Sequence, residues 1–211
     1  MPLPLSQVLA LAAQCAPAIA PETLLSVVQV ESGFNPLAIG VNGSPRVGVT
    51  ASSPAEAAEK ASVLIAAGRS VDLGLAQINS KNLASLGLSV EAAFDPCRNL
   101  AAAGRVLQAG YQPTDDIGEQ PALLRALSRY NTGDDQRGFR NGYVAKVSKA
   151  AAHIVPALRS TPSSGQHPLE EALLSAPPPR PSWDVFGEAG VSGGFVIRLS
   201  QSARQQSGVQ E

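Results

Sequence analysis

Apolar residues recur at helical spacing through the first 158 residues, and most runs carry their own start and stop signals. Pro21 sits where a first-turn proline opens a helix. Ser53-Pro54-Ala55-Glu56 is a capping box with proline at the first helical position, and its helix is expected to run to Ala67 and stop at Gly68. Asp95 caps an expected helix over Pro96–Ala109, which Gly110 closes. Further helices are expected over Ser80–Leu86 (closed by Gly87), Gln120–Tyr130 and Gly142–Leu158. The stretch RSVDLGLAQIN, Arg69 to Asn79, alternates briefly and contains a glycine, so it reads as a small β-hairpin or extended segment. Other strand signals are scarce. The expected class is therefore mainly α.

The first twenty residues, MPLPLSQVLALAAQCAPAIA, are apolar and end in Ala18-Ile19-Ala20, which resembles a signal-peptidase site. No Lys or Arg precedes them, and Ser6, Gln7 and Gln14 interrupt them. They read as the first helix of the folded domain, with export left to a segment outside this chain or to a different route. No run reaches the ~18 consecutive apolar residues of a spanning helix. Beyond residue 158 the composition shifts: RSTPSSGQHP and SAPPPRPS are rich in proline and serine. The expected organisation is one domain over residues 1–158 and a flexible tail over 159–211. Within the tail, segment 182–199 holds Trp183, Phe186 and Phe195 and reads as a disordered end or a docking segment, being too short to form a core. The net charge of −1, with scattered cations, gives no electrostatic case for a nucleic-acid or anionic-membrane partner.

The second helix carries the chemistry. Leu24, Val27, Val28 and Glu31 fall at i, i+3, i+4 and i+7, so a carboxylate occupies a core position in the last turn before the helix stops at Gly33. Helix-terminal glutamates commonly turn to solvent. Here an apolar face would desolvate the carboxylate, and the helix C-terminus presents partial negative charge. Both penalise ionisation and raise the pKa. An acid kept protonated near neutral pH is what a glycosidic leaving oxygen requires. Gln77 and Asn79 stand on alternate residues of GLAQIN, and Tyr130 and Asn131 end ALSRYNTG. Amides and a phenol suit a sugar, which offers hydroxyl and acetamido groups.

Cys15 and Cys97 are the whole cysteine inventory, which excludes a zinc site of several thiolates. Two buried thiols and a single disulfide are both open at this point. His153 and His167 form no imidazole cluster for a metal. GVSGG, Gly190 to Gly194, matches a serine-nucleophile pattern, with His167 and Asp184 preceding Ser192, but no strand–turn–helix surrounds it. That reading is rejected.

Taken in order, ESGFNP, GLAQIN and ALSRYNTG followed by GYVAKV resemble the successive motifs of the soluble lytic transglycosylase (SLT) family, over roughly residues 5 to 158. CAP at Cys15, ESGFNPLAIGVNG and FDPCRN at Cys97 bring the resemblance closest to the VirB-type members that accompany type IV secretion and conjugation systems. The resemblance implies a lysozyme-like fold, peptidoglycan glycan strands as substrate, and a periplasmic location that favours a Cys15–Cys97 disulfide. It implies that Glu31 is the sole acid and base, forming 1,6-anhydromuramic ends, and that no metal or cofactor is needed. Ser32 would contact substrate or orient the acid. Gln77 and Asn79 would line the sugar cleft, Tyr130 would hydrogen-bond Glu31 or a sugar hydroxyl, and Asn131 would hold the turn after its helix. Type IV secretion components are the implied partners of the tail, and a glycan-binding assembly factor is the reading of a different class. Where the family usually has methionine, this chain has Ala76, for which a small packing change is expected. VDLGLAQINS also resembles the DYGILQINS stretch of animal-type lysozymes, which puts Asp72 at the second carboxylate of a hydrolase. A separation of ~5–5.5 Å from Glu31 would suit retaining hydrolysis, and ~6.5–9.5 Å an inverting one. The alternative is that Asp72 closes a turn.

Overall fold

The computed structural model describes residues 1–159. The expected tail beyond them, with segment 182–199 and the GVSGG motif, lies outside the described residues. The helices are α1 (Leu5–Cys15), α2 (Pro21–Ser32), α3 (Pro54–Ala66), α4 (Pro96–Gly110), α5 (Glu119–Thr132), the short α6 (Arg137–Arg140) and α7 (Tyr143–Arg159). The strands are β1 (Ile39–Val41), β2 (Val47–Val49), β3 (Val71–Leu73) and β4 (Ile78–Asn79). The architecture is mainly α with a small antiparallel sheet, as the sequence implies.

Helix ends follow local chemistry. Ser53 Oγ accepts the Glu56 N–H at 3.2 Å, and Asp95 Oδ1 accepts the Arg98 N–H at 2.8 Å. These side chains satisfy amides that the first turns of α3 and α4 leave unpaired. Gly33, with φ of 59°, ends α2 in the left-handed conformation, where a side chain would be strained. The opening segment is indeed the first helix, with Val8 and Ala12 buried in the core.

Two elements differ from the sequence reading. Residues 80–86 do not form an α-helix. Ser80–Asn82 makes one 3-10 turn, with Asn79 Oδ1 accepting the Lys81 N–H at 3.0 Å, and further turns follow. Pinned by the sheet at one end and by Gly87 at the other, the run is too short to repay helix nucleation. The expected hairpin is only half of a four-stranded sheet of order β2-β1-β3-β4. The central β1 pairs antiparallel with both β2 and β3, and Gly40 stands opposite Gly48 and Asp72. Strands of three residues are too short to declare themselves by alternation.

The α2 helix runs through the core, with Leu24, Leu25, Val27 and Val28 fully buried, and packs most extensively against α7. A disulfide joins Cys15 at the end of α1 to Cys97 at the start of α4, with Cα atoms 5.4 Å apart. Nearby, a Cβ on Gly104 would come within 3.2 Å of the Ala16 Cβ, so a small residue suits this close approach to α4. Two residues past Cys97, the fully buried Asn99 holds the GLAQIN loop. Its Oδ1 accepts the Ala76 N–H at 2.8 Å, and its Nδ2 donates to Leu73 O at 2.9 Å and Ala93 O at 2.7 Å. Gly74 makes this possible, because a Cβ there would lie 2.4 Å from Ala93 O and 2.5 Å from Asn99 Nδ2. The disulfide thus anchors the helix end that fixes one wall of the cleft.

Candidate active site

Glu31 emerges from the buried face of α2 into a cleft of about 450 Å³ between the sheet and the C-terminal end of α5. Asp72, Gln77, Asn79, Tyr130 and Arg46 are among the residues lining it. Its surface is mainly polar, with the cations of Arg46, Lys81 and Arg129 in its lining. This composition suits a hydroxyl-rich substrate carrying some negative charge. Among the described residues, no group of three or more His, Cys, Asp or Glu could hold a metal ion.

The Glu31 carboxyl is partly open to the cleft but crowded by protein atoms, and burial pushes its pKa from the ordinary 4.5 up to about 7. A hydrogen bond from Tyr143 and the positive charge of Arg46 pull the other way, and the negative charge of Asp72 adds to the rise. Desolvation wins. At neutral pH a large fraction of Glu31 therefore carries the proton an acid catalyst must deliver.

The tyrosine at Glu31 is not the expected one. Tyr143 Oη donates to Glu31 Oε1 at 2.7 Å, from the first residue of α7. Tyr130 lines the cleft beside Glu31, but its hydroxyl donates to Ala76 O at 2.7 Å. The Ala76 backbone is thereby held from both sides, by Tyr130 and Asn99, whatever its small side chain contributes. Tyr143 sits in the GYVAKV motif, but a phenol 112 positions from Glu31 cannot be assigned to it by spacing. Asn141 fixes the start of α7, accepting the Tyr143 N–H at 3.0 Å and donating to Asn131 Oδ1 at 2.8 Å. Asn131 thus ties its helix end to the next element.

Tyr143→Phe should raise the Glu31 pKa further, because the lost bond favours the carboxylate. It should also lower turnover about tenfold by freeing the acid's orientation. A pH–rate profile checks both, and an unchanged rate with an unmoved alkaline limb would remove Tyr143 from the site.

The other expected residues gather at the cleft in supporting positions. Ser32 Oγ donates to Leu75 O at 2.5 Å, clamping the end of α2 to the GLAQIN loop. Gln77 is not in extended backbone: its φ is 51°, and its Nε2 donates to Ala38 O and Gly74 O at 3.1 and 3.0 Å. Asn79 lies in β4, its Nδ2 donating to Asp72 Oδ1 at 2.6 Å. Asp72 closes no turn; it sits in the middle of β3 and pairs with Arg46 at 2.8 Å. Arg46 carries no signal in the sequence. It follows the β1–β2 turn, and its side chain crosses Gly40 of β1 to reach Asp72 on the neighbouring β3.

Comparison with known proteins agrees with this geometry. Residues 9–152 match the family described as Transglycosylase SLT domain. Protein virB1 of Agrobacterium fabrum strain C58 is 40% identical over 179 residues, covering 83% of this chain and 69% of that protein. Type IV secretion system protein virB1 of Brucella suis biovar 1 is 40% identical over 173 residues, covering 74% of this chain and 71% of that protein. No solved structure matches. The family match over most of the chain, together with relatives 40% identical over most of their length, means that this protein belongs to the SLT transglycosylase family.

Proposed function

We propose that the chain cleaves the β-1,4 bond from N-acetylmuramic acid to N-acetylglucosamine in peptidoglycan, with Glu31 as its only acid and base. The observation that carries the reading is a carboxyl with a pKa of about 7 opening into a polar cleft. Glu31 gives its proton to the bridging oxygen as the C1–O bond breaks. The muramic C6 hydroxyl then attacks C1 and returns its proton to Glu31. The product ends in a 1,6-anhydro ring and no water is consumed. Gln77 and Asn79 shape the wall of the cleft that receives the sugar, while Ser32 and Tyr143 hold the acid in place.

Mass analysis of products from purified peptidoglycan tests this. Anhydro-muropeptides, lighter by one water than hydrolytic products, are the expected result. Reducing ends throughout would identify a muramidase and bring Asp72 into the reaction.

Peptidoglycan lies outside the cytoplasm, and a disulfide suits an oxidising compartment, so the periplasm is the proposed site of action. The Brucella relative is named a type IV secretion system protein, and local opening of the wall for such an apparatus is the proposed role here. The tail, with Trp183 and Phe186, is proposed as the segment that docks on secretion components. Removing residues 160–211 is expected to leave glycan cleavage at the parent rate and to weaken secretion in cells. Loss of cleavage from a folded truncation would overturn that division.

A further inference from the structure

Arg46 lies across the cleft and belongs to none of the sequence motifs. Its Nη2 donates to Asp72 Oδ2 at 2.8 Å and to Gln77 Oε1 at 3.2 Å. The other Asp72 oxygen accepts from Asn79 Nδ2 at 2.6 Å. Both oxygens of the second carboxylate in the cleft are therefore engaged by donors. The seat for the guanidinium is built into the sheet. A Cβ on Gly40 would lie 2.6 Å from Arg46 Nη2 and 2.8 Å from Gln77 Oε1, so β1 leaves this space only because it has no side chain there. The Asp72 side chain is 13% exposed and that of Arg46 50%, which places the guanidinium on the solvent side of the pair. A carboxylate whose charge is paired and whose two oxygens each already hold a donor is less available to take a proton from water or to attack C1.

We propose that Arg46 sets the product of the reaction by capping Asp72, so that the C6 hydroxyl of the sugar, rather than water, takes C1. The inference rests on the glycan-cleaving role of Glu31. In the parent protein only Glu31 exchanges protons with the substrate. Without Arg46, Asp72 accepts a proton from a water whose oxygen bonds to C1. The leaving oxygen still takes the Glu31 proton, and exchange with solvent resets both carboxyls. The product then ends in a reducing sugar, one water heavier. Arg46 is a positioning residue: it acts through Asp72.

Products from purified peptidoglycan are to be compared by mass for the parent, Arg46→Gln, and Arg46→Gln combined with Asp72→Asn. The ratio of reducing to anhydro ends should rise about tenfold in Arg46→Gln, a size typical of engaging a general base. It should return to the parent value when Asp72→Asn is added. Gly40→Ala, which displaces the guanidinium without removing its charge, should move the ratio in the same direction. An unchanged ratio in Arg46→Gln, a rise that survives Asp72→Asn, or an Arg46→Gln protein that makes no product would each overturn the inference alone. Absence of anhydro ends from the parent would overturn the underlying reading as well.

Discussion

Glu31→Gln is expected to lower anhydro-product formation by at least about a thousandfold while leaving the protein folded, because the variant removes the only proposed acid and base. The amide nearly matches the carboxyl in shape and can still accept the Tyr143 hydroxyl, so the cleft should keep its form. The parent's own pH dependence follows from the same residue. With a pKa of about 7, Glu31 loses its proton above neutrality, and kcat/KM should fall tenfold per pH unit there.

Stability should respond as well. The folded-state pKa lies above the unfolded value of 4.5, so the stabilisation is complete below 4.5 and is lost as pH rises through about 7. The gap corresponds to about 3 kcal/mol. Glu31→Gln, which cannot ionise, should therefore be more stable than the parent at pH 9 by up to that order and should lose this advantage at pH 4. Denaturant unfolding at the two pH values measures the difference. Equal stabilities at pH 9, or full cleavage by the pure variant, would contradict a buried catalytic acid.

Breaking the Cys15–Cys97 disulfide is the second large effect. The bond spans 82 positions, and closing a loop of that size restricts the unfolded chain by about 4–5 kcal/mol in the chain-entropy account. Replacing both cysteines by alanine should lower the melting temperature by roughly 10–15 °C for a domain of this size. Reductant should shift the parent by a similar amount and leave the variant unmoved. The cleft should survive at 20 °C, because Asn99 and Gly74, not the sulfur atoms, shape the GLAQIN loop. A drop of under ~3 °C would contradict the expected restraint and would mean that residual structure already limits the unfolded chain.

The two effects separate what each part of the chain contributes. Glu31 stands out in the sequence because it breaks a periodic apolar face, and such a pattern needs only one helix to read. Ser53, Asp95 and Gly33 are legible for the same reason, since caps act within three or four residues. The run over residues 80–86 has an apparent stop signal but too little length to nucleate a helix, and the surrounding sheet and Gly87 decide its shape. Strands β1 and β2 are short, so their pairing appears only in the assembled sheet.

The sequence by itself therefore determined the helical class, the proposed acid, and a family resemblance that comparison with known proteins confirms. Tertiary structure decided how the acid is tuned and what surrounds it. Tyr143 reaches Glu31 across 112 positions, Arg46 reaches Asp72 across 26, and Asn99 reaches Ala76 across 23. Tyr130, the last residue of its expected helix, has the right chemistry yet spends its hydroxyl on the Ala76 carbonyl. Local propensity fixes where a helix begins and ends, but a polar side chain takes whichever partner the folded chain brings within about 3 Å. That choice is made only when α7, the sheet and α4 close around the end of α2.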